Sequence, residues 1–222
     1  MRVLLLAGTA ALFLANAPTT YARTNQGSLR SCAPPGSVVL ASDRHAEVFR
    51  YRFGAYGCIR RSGHVVYLGY PEGHNERTPE CFEDEQRCSL VSQEALAGDV
   101  VAYQEGRLGD VTTIVVRSIA TDRVLHDVTP QVEFSRGVFI EGARALRILV
   151  KSDGAFAWIQ EESFGRHDGG ASPPPAYDVY AVDRHGFRPL STDLPAPPLM
   201  MKLVGSTLSW TQGKMRESAV LD

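Results

Sequence analysis

The sequence predicts an all-β, antiparallel protein that is propeller-like with about four short blades; a β-sandwich is the alternative fold. The first observation is period-two alternation, clearest in EVFRYRF (47–53), where aromatic side chains share one face of a predicted strand. The second is that turn residues recur at short intervals, while no stretch has helical periodicity. The third is an imperfect repeat of about fifty residues, which favours the propeller-like fold.

The repeat is a glycine turn followed by a small and then a large residue on a strand. The large residues are 44, 55 and 52 positions apart (103−59, 158−103, 210−158). Units of this length with three or four strands are typical of propeller blades. The register of the first copy stays open, because CIRRSGHVVYL (58–68) also aligns with AVDRHGFRPL (181–190). The four pairs are Cys58-Ile59, Ala102-Tyr103, Ala157-Trp158 and Ser209-Trp210.

The N-terminus has the pattern of a secretory signal peptide. Arg2 precedes an apolar run, VLLLAGTAALFLA (3–15), of the length of a signal-peptide core and too short to favour a membrane span. Cleavage is expected after Ala22, with Ala17 as the other small-residue site. The organisation is therefore a signal peptide at 1–22 and a single domain at 23–222. The expected location is secreted or extracytoplasmic, in the cell envelope.

The four cysteines are even in number and would enter an oxidising compartment, so two disulfides are expected. The favoured pairing is Cys32 with Cys58 and Cys81 with Cys88, and the other two connectivities stay open. Their spacings of 26, 23 and 7 residues do not fit a zinc site.

Two segments lack a strand pattern and are predicted to be long loops, 71–88 and 163–176; TDLPAPP (192–198) is predicted to be a stiff linker. Residues 131–145 have only a weak strand signal. The predicted strands and hairpins lie at 37–41, 47–53, 55–70, 96–105, 111–119, 124–128, 146–162 and 177–191, followed by three short strands within 199–221.

Motifs of common catalytic and nucleotide-binding sites are absent from the sequence. The net charge of −2 does not predict capture of nucleic acid. His167 and Asp168 form the one polar cluster in a flexible loop and are the candidate ligand-binding residues, although neighbouring residues rarely face each other productively. His45 and His185 are placed in hairpin turns, and no metal or other cofactor is expected.

Two further features have competing interpretations. The acidic segment 72–85 could bind calcium through its oxygen atoms, but its spacing is not that of a calcium loop, so solvation of the loop is the favoured interpretation. Trp158 and Trp210 could offer sugar-stacking platforms. Their positions in the repeat predict core residues instead.

LVKSDGAFAWI (149–159) resembles the S-P-D-G-x-x-h-A-h core of TolB-type, WD40-like propeller repeats, in which h is apolar; Lys151-Ser152 stands where that family usually has Ser-Pro. The mature chain also resembles a group of uncharacterised exported bacterial proteins. The resemblance rests on YGCIRRSG (56–63), LAGDVVAY (96–103), DGAFAW (153–158) and LVGSTLSW (203–210). It implies a fold and export, and no activity.

These observations lead to the expectation of an exported, non-catalytic binding or scaffold module, acting as a monomer on an unknown exported protein or a glycan. The alternative is a hydrolase-type enzyme with its site at the loop end of the propeller. A purely structural envelope protein is a third interpretation. No nucleic-acid partner is expected, nor a membrane span after signal cleavage.

Overall fold

The computed structural model describes residues 31–71, 90–106, 112–129, 138–166 and 171–222. Within these ranges the protein is all-β and contains no helix, as the sequence predicts. The strands are β1 (Val38–Ser42), β2 (Ala46–Tyr51), β3 (Gly54–Ile59), β4 (His64–Pro71), β5 (Leu90–Ala97), β6 (Val100–Gly106), β7 (Thr113–Ser118), β8 (Arg123–Val128), β9 (Val138–Val150), β10 (Phe156–Arg166), β11 (Ala176–Asp183), β12 (Gly186–Leu194), β13 (Leu199–Val204), β14 (Thr207–Gln212) and β15 (Met215–Val220).

The strands form four units in which consecutive strands pair antiparallel. Unit I is β1–β4, unit II is β5–β8, unit III is β9–β12 and unit IV is β13–β15. Hydrogen bonding is continuous from β1 to β8, but β4 and β5 are joined by only two parallel pairs, Tyr70 with Leu90 and Pro71 with Val91. Units III and IV are separate sheets. The eight-stranded sheet is therefore two meanders joined at one point.

Three hydrophobic clusters lie between successive units. The first joins units I and II, the second joins units II and III, and the third joins units III and IV. The four units are thus layers stacked in chain order, whereas a sandwich of two sheets would have a single core. The largest fully buried apolar residues of the three clusters are Tyr103, Ile114, Ile119, Phe156, Trp158, Met201, Leu208 and Leu221.

The two middle units bury both faces. On β6, Val101 and Tyr103 pack toward unit I, while Val100 and Ala102 pack toward unit III. This follows from the pleat, because successive side chains of a strand point to opposite faces. The near-continuous apolar run VVAY is what such a two-sided strand requires.

The structure gives the register of the repeat in the first unit. Tyr103, Trp158 and Trp210 each lie on the second strand of their unit and pack toward the preceding unit. Ile59 instead lies on β3, the third strand of unit I, and packs toward unit II. The position that matches the other three is Phe49 on β2, which gives spacings of 54, 55 and 52 residues (103−49, 158−103, 210−158).

The first strand of every unit has an irregular register. β1 shifts between Val39 and Ala41, and β5 between Ser92 and Ala95. β9 has two shifts, one of which leaves Leu146 without a cross-strand partner, and in β13 the shift falls between Leu199 and Lys202. One shift in each unit thus begins at 40, 93, 146 or 200, and these positions recur every 53, 53 and 54 residues (93−40, 146−93, 200−146). The bulge is therefore a repeated feature of the fold.

The turns after the four first strands meet at one end of the stack. Gly98 N donates to Asp43 Oδ2 over 2.7 Å, which joins units I and II. A Cβ built on Gly98 would lie 3.5 Å from that of Ser152 in unit III. Lys151 Nζ donates to Ser206 Oγ over 3.1 Å and so joins units III and IV. We call this end of the stack the turn end.

Several strands differ in extent from the sequence prediction. β5 begins at Leu90, although no strand was predicted between residues 70 and 96. β9 extends back to Val138 through the weakly predicted segment, and β10 extends to Arg166 into the predicted loop. β12 likewise continues to Leu194 in the predicted linker. These extensions pair with neighbouring strands, and such long-range pairing has no local sequence signal.

Candidate functional site

The predicted ligand-binding residues His167 and Asp168 lie outside the described residues. So do Cys81 and Cys88, and so does the acidic segment 72–85. The strands that lead to the two predicted long loops, β4 and β10, both end opposite the turn end, because each begins at a turn on that side of its meander.

The disulfide between Cys32 and Cys58 is confirmed. It fixes the segment before β1 against unit I, where the buried carboxylate of Glu47 also holds it. Glu47 Oε1 accepts from Ser31 Oγ at 2.7 Å, from Cys32 N at 2.5 Å and from Ala33 N at 2.8 Å. Glu47 Oε2 pairs with Arg60 Nη2 at 2.9 Å. The arrangement attaches the segment before β1 to unit I.

Both tryptophans are core residues, as predicted from the repeat. Trp158 is 0% exposed and Trp210 is 2% exposed. The Trp158 ring stacks on Phe156 with centroids 5.4 Å apart and packs on Tyr180 at 5.2 Å. Neither tryptophan can serve as an exposed platform for a sugar.

A cavity of about 550 Å³ lies where the first strands of all four units converge. We call it the axial cavity. Small-ligand sites have volumes of roughly 300–1,000 Å³, so its size suits one small molecule. It lies close to the turn end, since several of its residues immediately precede the first turns. The lining residues are Ala41, Ser42, Gln93–Leu96, Arg147–Val150 and Leu203.

The repeated bulge shapes one wall of the axial cavity. In β5 two residues, Gln93 and Glu94, stand opposite one residue of β6. Gln93 has a φ of 56°, a left-handed conformation that costs a non-glycine residue about 1 kcal/mol or more. The bulge thus presents two consecutive polar side chains to the cavity, where a regular strand would alternate them. Strain of this kind persists where the surrounding structure holds it.

The polar groups of the axial cavity can both donate and accept hydrogen bonds. Arg147 supplies guanidinium donors and Glu94 supplies carboxylate acceptors, while the Gln93 amide and the Ser42 hydroxyl can do either. Leu149 and Leu203 add apolar walls. This set suits a small polar molecule with several hydroxyl or amide groups.

A second polar site lies on the unit II side of unit III, away from the turn end. Along β10, Trp158 Nε1 donates to Gln160 Oε1 at 3.3 Å, and Gln160 Nε2 donates to Glu162 Oε1 at 2.7 Å. On β11, Tyr180 OH donates to Asp178 Oδ2 at 2.9 Å. We call these five residues the acid network.

The Asp178 carboxylate raises the pKa values of two other groups in the acid network. Burial, first, and then the nearby charge of Asp178 raise the pKa of Glu162 above its usual value, and a hydrogen bond shared with Asp178 acts in the same direction. Burial and the Asp178 carboxylate likewise raise the pKa of Tyr180. Glu162 therefore retains its proton to a higher pH than an exposed glutamate.

Metal coordination has no support in the described ranges, where no three histidine, cysteine or carboxylate side chains form a possible metal site. His45 and His185 are exposed in the turns where the sequence placed them. His126 lies against Phe156, with ring centroids 5.7 Å apart, and burial lowers its pKa. In the part of the chain that is described, no helix has the length and apolar character needed to cross a bilayer.

No protein-family model matches the chain, and no curated protein has significant similarity to it.

Sequence reasoning did not find the axial cavity or the acid network. The cavity residues come from four strands about fifty residues apart, which the stacking of the units brings together. The acid network had a local signal in the alternation Trp158-x-Gln160-x-Glu162, which places three polar or amphipathic groups on one strand face. Its partner Asp178 could be found only from the strand register, which pairs it with Gln160.

Proposed function

We propose that the chain is an exported, non-catalytic binding module of propeller-like architecture, with four short blades and a ligand in the axial cavity. Four consecutive meanders, stacked in chain order with their first strands toward one axis, support the propeller-like description. The convergence of all four first strands on one cavity is the observation that carries the binding proposal. The closure of a ring does not enter it.

The proposed ligand class is a glycan or a comparably polar small molecule. Arg147, Glu94 and Gln93 offer the donors and acceptors that hydroxyl groups require, and the aliphatic walls offer a surface for a sugar ring. Arg147 is exposed at the cavity, so it can reach a ligand without losing a buried partner.

The binding test is NMR titration of the oxidised mature chain with glucose, maltose, N-acetylglucosamine, chitobiose and galacturonic acid. Each is raised to about 10 mM, which detects even millimolar affinity. We expect saturable shifts at residues 93–96 and 147–150 for at least one sugar, lost in Arg147→Gln and retained in the exposed control Arg123→Gln on β8. Shifts with none of the five sugars at these residues would contradict the glycan proposal.

Export is tested separately by N-terminal sequencing of the protein released when the full gene product is expressed in a secreting host. The proposal expects a mature chain that begins at Arg23. A chain that retains residues 1–22 and stays with the cells would contradict it.

The hydrolase alternative is favoured by one observation, the raised pKa of Glu162 next to Asp178. A carboxyl group with a raised pKa holds its proton to a higher pH and is therefore better suited to act as a general acid. The assay uses p-nitrophenyl acetate and p-nitrophenyl glycosides, with Glu162→Gln beside the parent. Equal, background turnover of the two proteins is expected for a binding module. Turnover that Glu162→Gln abolishes would favour the enzyme.

A further inference from the structure

The three unit interfaces all use the same pair of faces. Each later unit contributes the face that has the aromatic residue of its second strand, namely Tyr103, Trp158 or Trp210. We call this face the leading face of a unit. Each earlier unit contributes its opposite face, which we call the trailing face. Any unit of this repeat can therefore contact a neighbour on each side.

One leading face and one trailing face have no neighbouring unit. Phe49 places the leading face of unit I on the side away from unit II, and the strand register puts Val39 and Tyr56 on that same side. On unit IV the register puts Val204, Thr207 and Val220 together on the trailing face. Among the described residues, no hydrophobic cluster joins units I and IV.

Apolar exposure is concentrated on these two terminal units. Among the described residues, ten of the thirteen large exposed hydrophobic residues belong to units I and IV and three to units II and III. Val39 is 48% exposed, Val204 is 75% exposed and Val220 is 52% exposed. A repeat protein that stays single needs polar outer faces at its ends, and these faces are not polar throughout. Among the described residues, the segment before β1 is held at unit I by the disulfide and by Glu47.

We propose that the trailing face of unit IV docks on the leading face of unit I in a second copy of this chain. The contact continues the arrangement already present three times within one chain, so the partner is another unit of the same repeat. The two faces differ, which makes the contact head-to-tail; two copies that satisfy both contacts close a ring, and otherwise they extend as a chain. This inference replaces the expectation of a monomer and goes beyond the proposed ligand site.

The test compares three valine-to-glutamate variants of the oxidised mature chain. Val39→Glu charges the leading face of unit I and Val204→Glu charges the trailing face of unit IV. Val124→Glu is the matched control, since Val124 is 45% exposed on β8, outside both faces. Sedimentation velocity and light scattering measure mass up to about 100 μM, which populates complexes of micromolar affinity.

We expect dimers or longer assemblies for the parent and for Val124→Glu. Either face variant should weaken association at least about tenfold, because it buries an unpaired charge in the contact. An equimolar mixture of Val39→Glu and Val204→Glu should regain association, since each variant keeps the face that the other lacks. Far-UV circular dichroism confirms that each variant is folded.

Two results would overturn the proposal. The first is a parent that stays monomeric across the concentration range. The second is association that Val39→Glu and Val204→Glu leave unchanged, or that their mixture does not restore, because a head-to-tail contact requires both faces and lets the variants complement each other.

Discussion

The middle and terminal units bury their side chains to different degrees, although they share one repeat. In β6 of unit II, five consecutive residues (100–104) are buried, whereas in β14 of unit IV only Leu208 and Trp210 are. A middle unit is held by cores on both sides, and a terminal unit by one. The difference teaches that stability is not uniform along this chain, and that the end units depend on local attachments.

Those attachments differ between the two ends. Unit I has the disulfide and the Glu47 carboxylate. Burial alone would raise the pKa of Glu47, but hydrogen bonds from Ser31 and the leader amides, and the charge of Arg60, keep it below its usual value. Unit IV is attached to unit III by Lys151 Nζ, which donates to Ser206 Oγ and to Leu221 O at 2.9 Å.

The largest expected losses of stability follow from truncation of the two buried tryptophans, one in a middle unit and one in a terminal unit. Trp158→Ala should lower the free energy of unfolding by about 3–5 kcal/mol, as truncation of a buried aromatic residue does. Trp210→Ala should cost about 1 kcal/mol less, since its indole N–H has no hydrogen-bond partner among the described residues while that of Trp158 has one. Chemical denaturation measures both. Equal losses would contradict the ranking of the two units.

Removal of the confirmed disulfide should have the next largest effect. The bridge closes a segment of 26 residues, for which chain entropy gives about 3 kcal/mol. Cys32→Ser with Cys58→Ser should lower stability by that amount, with loss of amide protection first in β2 and β3. Hydrogen exchange locates the loss. Protection that falls first in unit III would show that the bridge does not serve unit I.

A smaller loss is expected at the contact of units I and II. A Cβ on Gly57 would lie 2.9 Å from Ile119 Cδ1, which is too close for atoms in a packed core. Gly57→Ala should cost about 1–3 kcal/mol, the range for overpacking. Ile119→Val removes that terminal methyl group, so the double variant should be more stable than the sum of the two single effects. Additive losses would mean that the two side chains do not meet.

The smallest effect concerns pH. The pKa of Glu162 is raised in the folded protein, so its contribution to stability is present below the unfolded pKa, near 4.5, and is lost as pH rises through the higher folded value. Glu162→Gln should therefore stabilise the protein at pH 7 by up to about 1 kcal/mol, the scale of a partly exposed charge contact. Thermal unfolding at pH 4 and pH 7 measures it. A stabilisation by Glu162→Gln that is larger at pH 4 than at pH 7 would contradict the raised pKa.

The sequence contained the fold class but not the alignment of its repeats. The strand at 47–53 and the turn at Ser152-Asp153-Gly154 were readable because they are local, and the turn is present in the structure. The strand is present as β2 (Ala46–Tyr51), but the predicted alternation is wrong, because residues 46–49 are all buried and residues 52–53 lie in the following turn. The sequence prediction placed the large residue of the first repeat at Ile59 instead of Phe49, because the turn before Phe49, Ser42-Asp43-Arg44-His45, contains no glycine. In this turn Asp43 Oδ1 accepts hydrogen bonds from the amides of His45 and Ala46, which stabilise the turn without a glycine.

The candidate site was less accessible to sequence reasoning than the fold. The sequence prediction favoured the long loops, because loops often have functional residues. The axial cavity is instead built from strand residues and lies near the turn end, away from the strand ends that lead to those loops. The positions of Gln93 and Arg147 in one cavity depend on the stacking of units II and III. No spacing along the chain encodes such stacking directly.

The recurring bulges also have a consequence for aggregation. β1, β9 and β13 are edge strands, and β5 is one for most of its length, since only its first two residues pair with β4. Regular edges of this kind are templates for pairing with foreign strands, which is a hazard while a chain is folding. An irregular backbone in each of these four strands interrupts that template. The same distortion that shapes the cavity therefore guards the chain against misassembly and strand exchange.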